Sequence, residues 1–402
     1  MPLMVYNSLT REKEAFTLLG GEVKIFVCGP TVYDYLHLGH ARTYLAFDII
    51  ARYLKFLGYQ VRFVMNITDV AERLVQRAEE LKRDPLDLAR QYEAAFLEDM
   101  RSLGISNIDR YERASEYIPQ MIDQVSVLVK KGVGYETETG VYFEVSKFPK
   151  FGELSGQGHE ELGLRRLELC SSKRKPEDFS LWRKYENGFG WNSPWGFGRP
   201  GWHIEDTAIS MAHLGETYDI HGGASELIFP HHEAEIAQAE ALTGTAPFVR
   251  YWLHTGLLNL EGRKMSKSLG NVVRIRDALK EHTASELRFY FASSHYRQPT
   301  IFSENGLRKS KRELAAIRNN LRTFLTAEAK RHSRDEKKLR VVLEKSEFAF
   351  KQSMDNDFDT SKALRVLMTL AKTLARLKVG REAKDEAETA FLSMANVFGI
   401  LP

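Results

Sequence analysis

Cysteine is almost missing: Cys28 and Cys170 are the only two in 402 residues. That excludes a disulfide framework, leaves the fold to its core, and suits a reducing compartment. Long apolar runs are absent too. None approaches the ~20 residues of a membrane helix, and the start MPLMVYNSLTREKE lacks a charged segment followed by an apolar one, so neither a span nor a secretory leader is expected. No charge of one sign dominates, since 57 Lys and Arg face 54 Asp and Glu for a net +3. A uniformly basic polyanion binder is excluded, although positive charge gathered locally is permitted. Internal repeats and low-complexity segments are lacking. What is present, 43% hydrophobic and 11% aromatic residues, can bury a large core divided into two or three domains. The expectation is a cytoplasmic protein.

Two short strings carry the chemistry. His37-Leu38-Gly39-His40 lies near the start and Lys264-Met265-Ser266-Lys267-Ser268 far downstream. Both set compact positive donors beside Gly-permitted backbone, as gripping a triphosphate and neutralising charge at an attacked α-phosphorus requires. Taken singly, one reads as two surface histidines and the other as a solvated basic turn. On one chain they read together as a nucleotide-activating site.

The spacing predicts elements that would position these strings. Lys24 to Cys28 reads as a strand stopped by Gly29-Pro30, and Gly39 to Leu57 as an amphipathic helix on Ala41, Leu45, Ile49 and Tyr53. Val61 to Met65 reads as the next strand, ending at Asn66-Ile67-Thr68-Asp69. Strand, helix and strand of this length imply a parallel pair with ligands at the carboxyl ends, where Cys28, His37, His40 and Thr68 fall. A helix beginning at His40 would aim unpaired N–H groups and its positive end at a phosphate. His231 and Glu235 are four apart, so on a helix both face one way at metal-clamp spacing, with His232 and Glu233 pointing elsewhere. The plain alternative is a surface hydrogen bond between them and a Cys28 that merely packs. From Leu307 the pattern turns helical, and Arg308, Lys309, Lys311, Arg312, Arg318 and Arg322 offer either an RNA-phosphate face or a solvated one.

The runs CGPTVYDYLHLGHARTY, GRPGWHIE, DIHGGASELIFPHHEAEIAQ and KMSKSLGN resemble the cysteinyl-tRNA synthetases, a class I aminoacyl-tRNA synthetase family, over most of residues 20 to 300. The resemblance implies an α/β fold, a Rossmann-like parallel sheet with an insertion domain, followed by an all-α helical bundle. The boundaries expected are 1–110 and 196–275 for the two halves of the catalytic domain, with 111–195 as the insertion. A stem-contact connector at 276–306 and a tRNA-binding bundle at 307–402 would follow.

The resemblance also implies roles. His37, Gly39, His40 and Lys267 would hold ATP, with Lys264 assisting and Mg2+ accompanying the nucleotide. Gly29, Thr31, Thr68, Trp202 and His221 would form the amino-acid pocket. Cys28, Asp206, His231 and Glu235 would hold one Zn2+ per chain. Most of the family has a second cysteine where Asp206 stands, and some archaeal-type members share the WHIEDTA spelling found here. A carboxylate there leaves a set zinc still accepts. The implied reaction joins L-cysteine to ATP, releases pyrophosphate and charges tRNA(Cys), by a monomeric protein. The chain is expected to end short of the small anticodon-binding module many relatives carry. A ligase passing cysteine to a small amine, as in mycothiol synthesis, and a silent RNA-binding paralogue are the alternatives. Cys170 is expected to be structural filler.

Overall fold

The computed structural model describes residues 2–157, 172–260, 263–264, 272–329 and 333–401. Its centre is a five-stranded sheet in the order Val249–Thr255, Tyr218–Ala224, Val23–Val27, Val61–Ile67 and Arg110–Arg113. All neighbours pair in parallel. The chain lays down three strands in one direction, then returns to add two on the other side of Val23–Val27. Alternation along that strand sorts the two cores: Ile25 and Val27 pack with the helix Leu38–Phe56, whereas Phe26 and Cys28 face the helix Trp202–Leu214.

The helix Leu38–Phe56 is buried more fully than an amphipathic stripe predicts, with Arg42, Thr43, Tyr44, Phe47 and Asp48 also shielded. It lies between the sheet and the helical C-terminal region, where Tyr53 meets Phe350 and Phe358 edge-on. The helices Glu304–Thr326, Ser333–Met354, Thr360–Leu374 and Arg381–Phe398 form that region. Leu307, Leu314, Ile317, Leu321 and Phe324 are buried, which leaves Arg308, Lys309, Lys311, Arg312, Arg318 and Arg322 exposed.

A four-stranded antiparallel sheet, Gly134–Glu136, Gly140–Phe143, Phe179–Lys184 and Gly198–Pro200, stands apart from the parallel one. It starts later than the 111–195 expected for the insertion. Arg110–Arg113 is the fifth strand of the main sheet, and Ile118–Lys130 packs with Trp202–Leu214 against the same core. Four consecutive polar or aromatic residues at 110–113 offer no apolar alternation, so this strand is invisible to periodicity. Among the described residues, no helix is long and apolar enough to cross a membrane.

Candidate active site

Where the strand order reverses, between Val23–Val27 and Tyr218–Ala224, the carboxyl ends open into a cavity of about 1170 Å3. Cys28, Gly29, Thr31, His37, Gly39, His40, Trp202, Glu205 and His231 all line it. Gly29 is forced by close approach. Its N–H donates to Asn66 Oδ1 at 2.6 Å, and a Cβ there would sit 1.7 Å from the Asn66 carbonyl oxygen.

The two histidines of the first string cap the helix that follows them. His37 is the N-cap of Leu38–Phe56, its Nδ1 accepting from the Gly39 N–H at 3.1 Å, and His40 Nδ1 accepts from the His37 N–H at 3.3 Å. A side chain at Gly39 would press within 2.8 Å of the His37 ring. With Nδ1 accepting, each neutral imidazole carries its proton on Nε2 and offers that as a donor.

This differs from the expected free N–H groups of a helix starting at His40. The helix starts at Leu38, and its first donors are taken: Leu38 N–H by the Val273 carbonyl at 3.0 Å, Gly39 N–H by His37, and His40 N–H by the His37 carbonyl at 2.9 Å. Anion attraction is left to the imidazoles and the helix dipole.

Backbone contacts also tie the histidine turn to the chain that follows the second string. The Ile275 N–H donates to the Leu36 carbonyl at 3.0 Å, and His37 bridges Arg274, so the chain just after the lysine string is stitched to the histidine turn. Lys264 lies in a two-residue strand paired with Asn259. Lys267 and Cys170 lie outside the described residues.

Behind the cavity wall, Cys28 meets a buried polar cluster. Its Sγ lies 3.0 Å from Asp206 Oδ2, 3.1 Å from His232 Nε2, 3.3 Å from His221 Nε2 and 4.0 Å from Glu235 Oε1. His231 Nε2 lies 2.9 Å from Asp206 Oδ2 and 3.1 Å from Glu235 Oε1.

The four residues named from sequence therefore converge, but His232 converges with them rather than pointing away. The reason is local: His232 is helical at the start of Glu233–Thr243, so His231 and His232 stand four and three residues before Glu235, and both spacings reach the same face. Glu233 does turn elsewhere, accepting from the Ser155 N–H at 2.8 Å.

The cluster is unbalanced without a cation. Burial, then the charges of Asp206 and Glu235, push the Cys28 thiol up, and burial followed by Asp206 pushes the Glu235 carboxyl up. Glu235 Oε2 is buried and accepts no hydrogen bond. A divalent ion inverts that balance, and thiolate, imidazole and carboxylate are donors zinc accepts.

Two overlapping sets have ligand atoms close enough, Cys28 with Asp206, His231 and Glu235, and Cys28 with His221, His232 and Glu235. Cys28 and His231 line the cavity, whereas His221 and His232 do not, so the first set is the one a ligand in the cavity can reach. Its outer partners are in place: Asn66 Nδ2 donates to Asp206 Oδ1 at 2.6 Å, and His231 Nδ1 lies 2.8 Å from His203 Nδ1. In the second set, Tyr218 Oη holds His221 Nδ1 at 2.6 Å and His254 Nε2 holds His232 Nδ1 at 2.7 Å.

Trp202 stacks on His231 with ring centroids 4.1 Å apart and stays 42% exposed toward the cavity. Thr68 and His221, expected in the amino-acid pocket, are buried off it. The Thr68 hydroxyl accepts from Asn66 Nδ2 at 3.3 Å, whereas Glu205 does line the cavity. Sequence reasoning passed over Glu205 and His232, although each is the immediate neighbour of a residue it chose.

A family model described as the tRNA synthetases class I (C) catalytic domain matches residues 15–312. A protein of Thermococcus onnurineus named cysteine–tRNA ligase is 46% identical over 413 residues, covering 100% of this chain and 87% of its own length. The chain belongs to the class I cysteinyl-tRNA synthetase family. A model described as the DALR domain matches residues 349–402, within the helical region of this synthetase. Proteins of the same name from Pyrococcus horikoshii and Syntrophobacter fumaroxidans are 44% and 45% identical, covering 100% and 95% of the chain and 87% and 80% of their own lengths.

Among solved structures, Mycobacterium tuberculosis methionyl-tRNA synthetase in complex with methionyl-adenylate superposes with a TM-score of 0.66 at 15% identity, covering 95% of this chain and 90% of that one. A putative arginyl tRNA synthetase from Campylobacter jejuni gives 0.65 at 13%, covering 94% and 92%. At these identities the two share the synthetase fold with this chain.

Proposed function

We propose that this synthetase activates L-cysteine with ATP, releasing pyrophosphate, and transfers the cysteinyl group to the 3′ end of tRNA(Cys). One observation carries the amino-acid choice: Cys28, Asp206, His231 and Glu235 meet within 4.8 Å of one another at the edge of the cavity that His37 and His40 also line. Cysteine differs from serine by one atom, and a pocket reading shape alone separates such a pair by only about 1–3 kcal/mol. Zinc held by these four residues would favour the substrate's sulfur as thiolate, a form serine cannot offer.

The chain's own groups do the rest by position and charge. Gly29 brings the backbone close to the amino acid, and Trp202 covers the imidazole of His231. His37 and His40, with Nε2–H donors fixed by their capping bonds, neutralise charge growing on the α-phosphate as the carboxylate attacks. No side chain needs to become a covalent nucleophile. Lys264 and Lys267 are assigned to the ATP phosphates and the leaving pyrophosphate, with Mg2+ accompanying the nucleotide. The exposed basic face from Arg308 to Arg322 supports contact with the tRNA phosphates. The reading includes a monomer working in the cytoplasm, and divides the chain into catalytic halves, insertion, connector and bundle.

Incubation with labelled cysteine, ATP and total tRNA tests this. Cysteine-dependent pyrophosphate exchange into ATP together with acid-precipitable label is expected. Exchange without label on tRNA would instead favour the small-amine acceptor, and no exchange the silent paralogue.

A further inference from the structure

Glu205 sits in the first turn of the helix Trp202–Leu214, one residue before Asp206, and lines the cavity. It is 1% exposed, and its Oε2 accepts no hydrogen bond. Asp178, another buried acid on this wall, is fully occupied: Oδ1 accepts from the Val145 N–H at 3.0 Å, and Oδ2 from Tyr135 Oη at 2.7 Å and the Lys175 N–H at 3.1 Å. Among the described residues lining the cavity, Glu205 is the one with a buried side-chain oxygen lacking a donor. Such an oxygen is costly to keep unless something entering the cavity supplies N–H or O–H groups.

The amino-acid substrate brings three polar groups on one small frame. Its sulfur has a corner at Cys28 and His231, and its carboxylate must face the phosphate beside His37 and His40. The remaining group is a cation with three donors and needs an anionic acceptor between those corners.

We propose that Glu205 receives the α-ammonium group of the amino-acid substrate. This inference rests on the reading of the site as one that activates an α-amino acid. With sulfur, carboxylate and ammonium each assigned a separate wall, the site distinguishes the L from the D amino acid and rejects thiol acids lacking an amine.

The test compares cysteine with 3-mercaptopropionate, which keeps the thiol and carboxylate but has no amine, on the metal-loaded protein and its E205Q variant. Expected is a rise of roughly 10- to 100-fold in KM for cysteine in pyrophosphate exchange, with zinc content and the inhibition constant of 3-mercaptopropionate unchanged. E205D, which keeps the charge on a shorter arm, should recover part of the preference for the amine. Equal weakening of both ligands would make Glu205 a structural support only, and an unchanged KM for cysteine would overturn the assignment. If E205Q fails to fold, the same ratio is read on E205D, where an unaltered preference counts against the proposal. Should the wild-type chain show no exchange at all, the functional reading fails, and calorimetric binding of the two thiols to wild type and variant still tests Glu205 separately.

Discussion

Two buried charge clusters in this molecule are built on opposite principles. On one side of the sheet, Asp48 and Arg288 form a fully enclosed ion pair. Asp48 also accepts from Arg52 at 2.8 Å and from Asn107 at 2.8 Å, while Arg288 donates to the Phe398, Leu103 and Gly104 carbonyls at 2.6, 3.1 and 3.2 Å. Each charge finds its complement within the chain. Around Cys28, a thiol, two carboxylates and several imidazoles face one another with no lysine or arginine among their partners in the described residues, and Glu235 Oε2 accepts no hydrogen bond, with only His221 Nε2 at 3.4 Å beside it.

The titration behaviour follows. Burial alone would raise Asp48, but Arg288 and Arg52 outweigh it and hold its carboxyl below the usual range, whereas burial raises Cys28 and Glu235 with like charges adding to it. The lesson is that charge balanced by the chain is architecture, and charge left unbalanced marks where something from outside binds.

The comparison breaks most forcefully at the ion pair. Arg288→Met strands Asp48 in the core and should cost about 3–5 kcal/mol in denaturant unfolding while the remaining folded protein keeps its zinc. A loss below about 1 kcal/mol would mean Arg52 and Asn107 suffice alone. At the other cluster, Asp206→Ala should drop zinc well below one ion per chain by elemental analysis, with little change in stability of the metal-free chain. Unaltered zinc content would remove Asp206 from the ligand set and favour His221 and His232.

His203→Phe leaves the four ligands but removes the partner of His231 Nδ1, so zinc affinity should fall about 10- to 100-fold in a chelator competition. Affinity equal to wild type would show that His203 only packs.

Acid sharpens the contrast with the smallest effect. Burial keeps His203, His221 and His232 well below their ordinary value and pushes His254 down to about 3. A lowered histidine stabilises the fold above its unfolded value near pH 6.5, and that stability is lost as pH falls from there toward the folded value. Asp48, also lowered, contributes above about pH 4 and fails only below it. In the metal-stripped chain each of these histidines should therefore take away stability below about pH 6.5, by about 1.4 kcal/mol per pH unit for each proton taken up on unfolding, while the raised Glu235 carboxyl pulls the other way. His254→Gln should remove its share of that loss, and a stability difference between the two chains that stays constant from pH 7 to 5 would contradict it.

Much of this was legible in the sequence because it is local. The Gly29 turn at a strand end and the buried faces of the C-terminal helices depend on neighbours a few residues apart, and their spacing states them, whereas the capping by His37 and His40 replaced the free N–H groups expected of a helix from His40. The strand Arg110–Arg113 was illegible because its pairing, not its composition, makes it a strand. His232 stands three residues before Glu235, a helical spacing that shares a face as four does, and the clamp pattern counted only the four.

By itself, the sequence determined which chemical groups exist and the short turns and helix starts that aim them: a thiol after a β-branched strand, two imidazoles at a helix cap, two acids in first turns. Only the tertiary structure decided which of these share one point. Asp206, Glu235 and the histidines come from segments far from Cys28 in the chain, and their meeting depends on the reversal of strand order, a long-range pairing that no local pattern encodes. It likewise decided that Thr68 is buried off the cavity, since burial is a property of what packs on a residue and not of the residue itself.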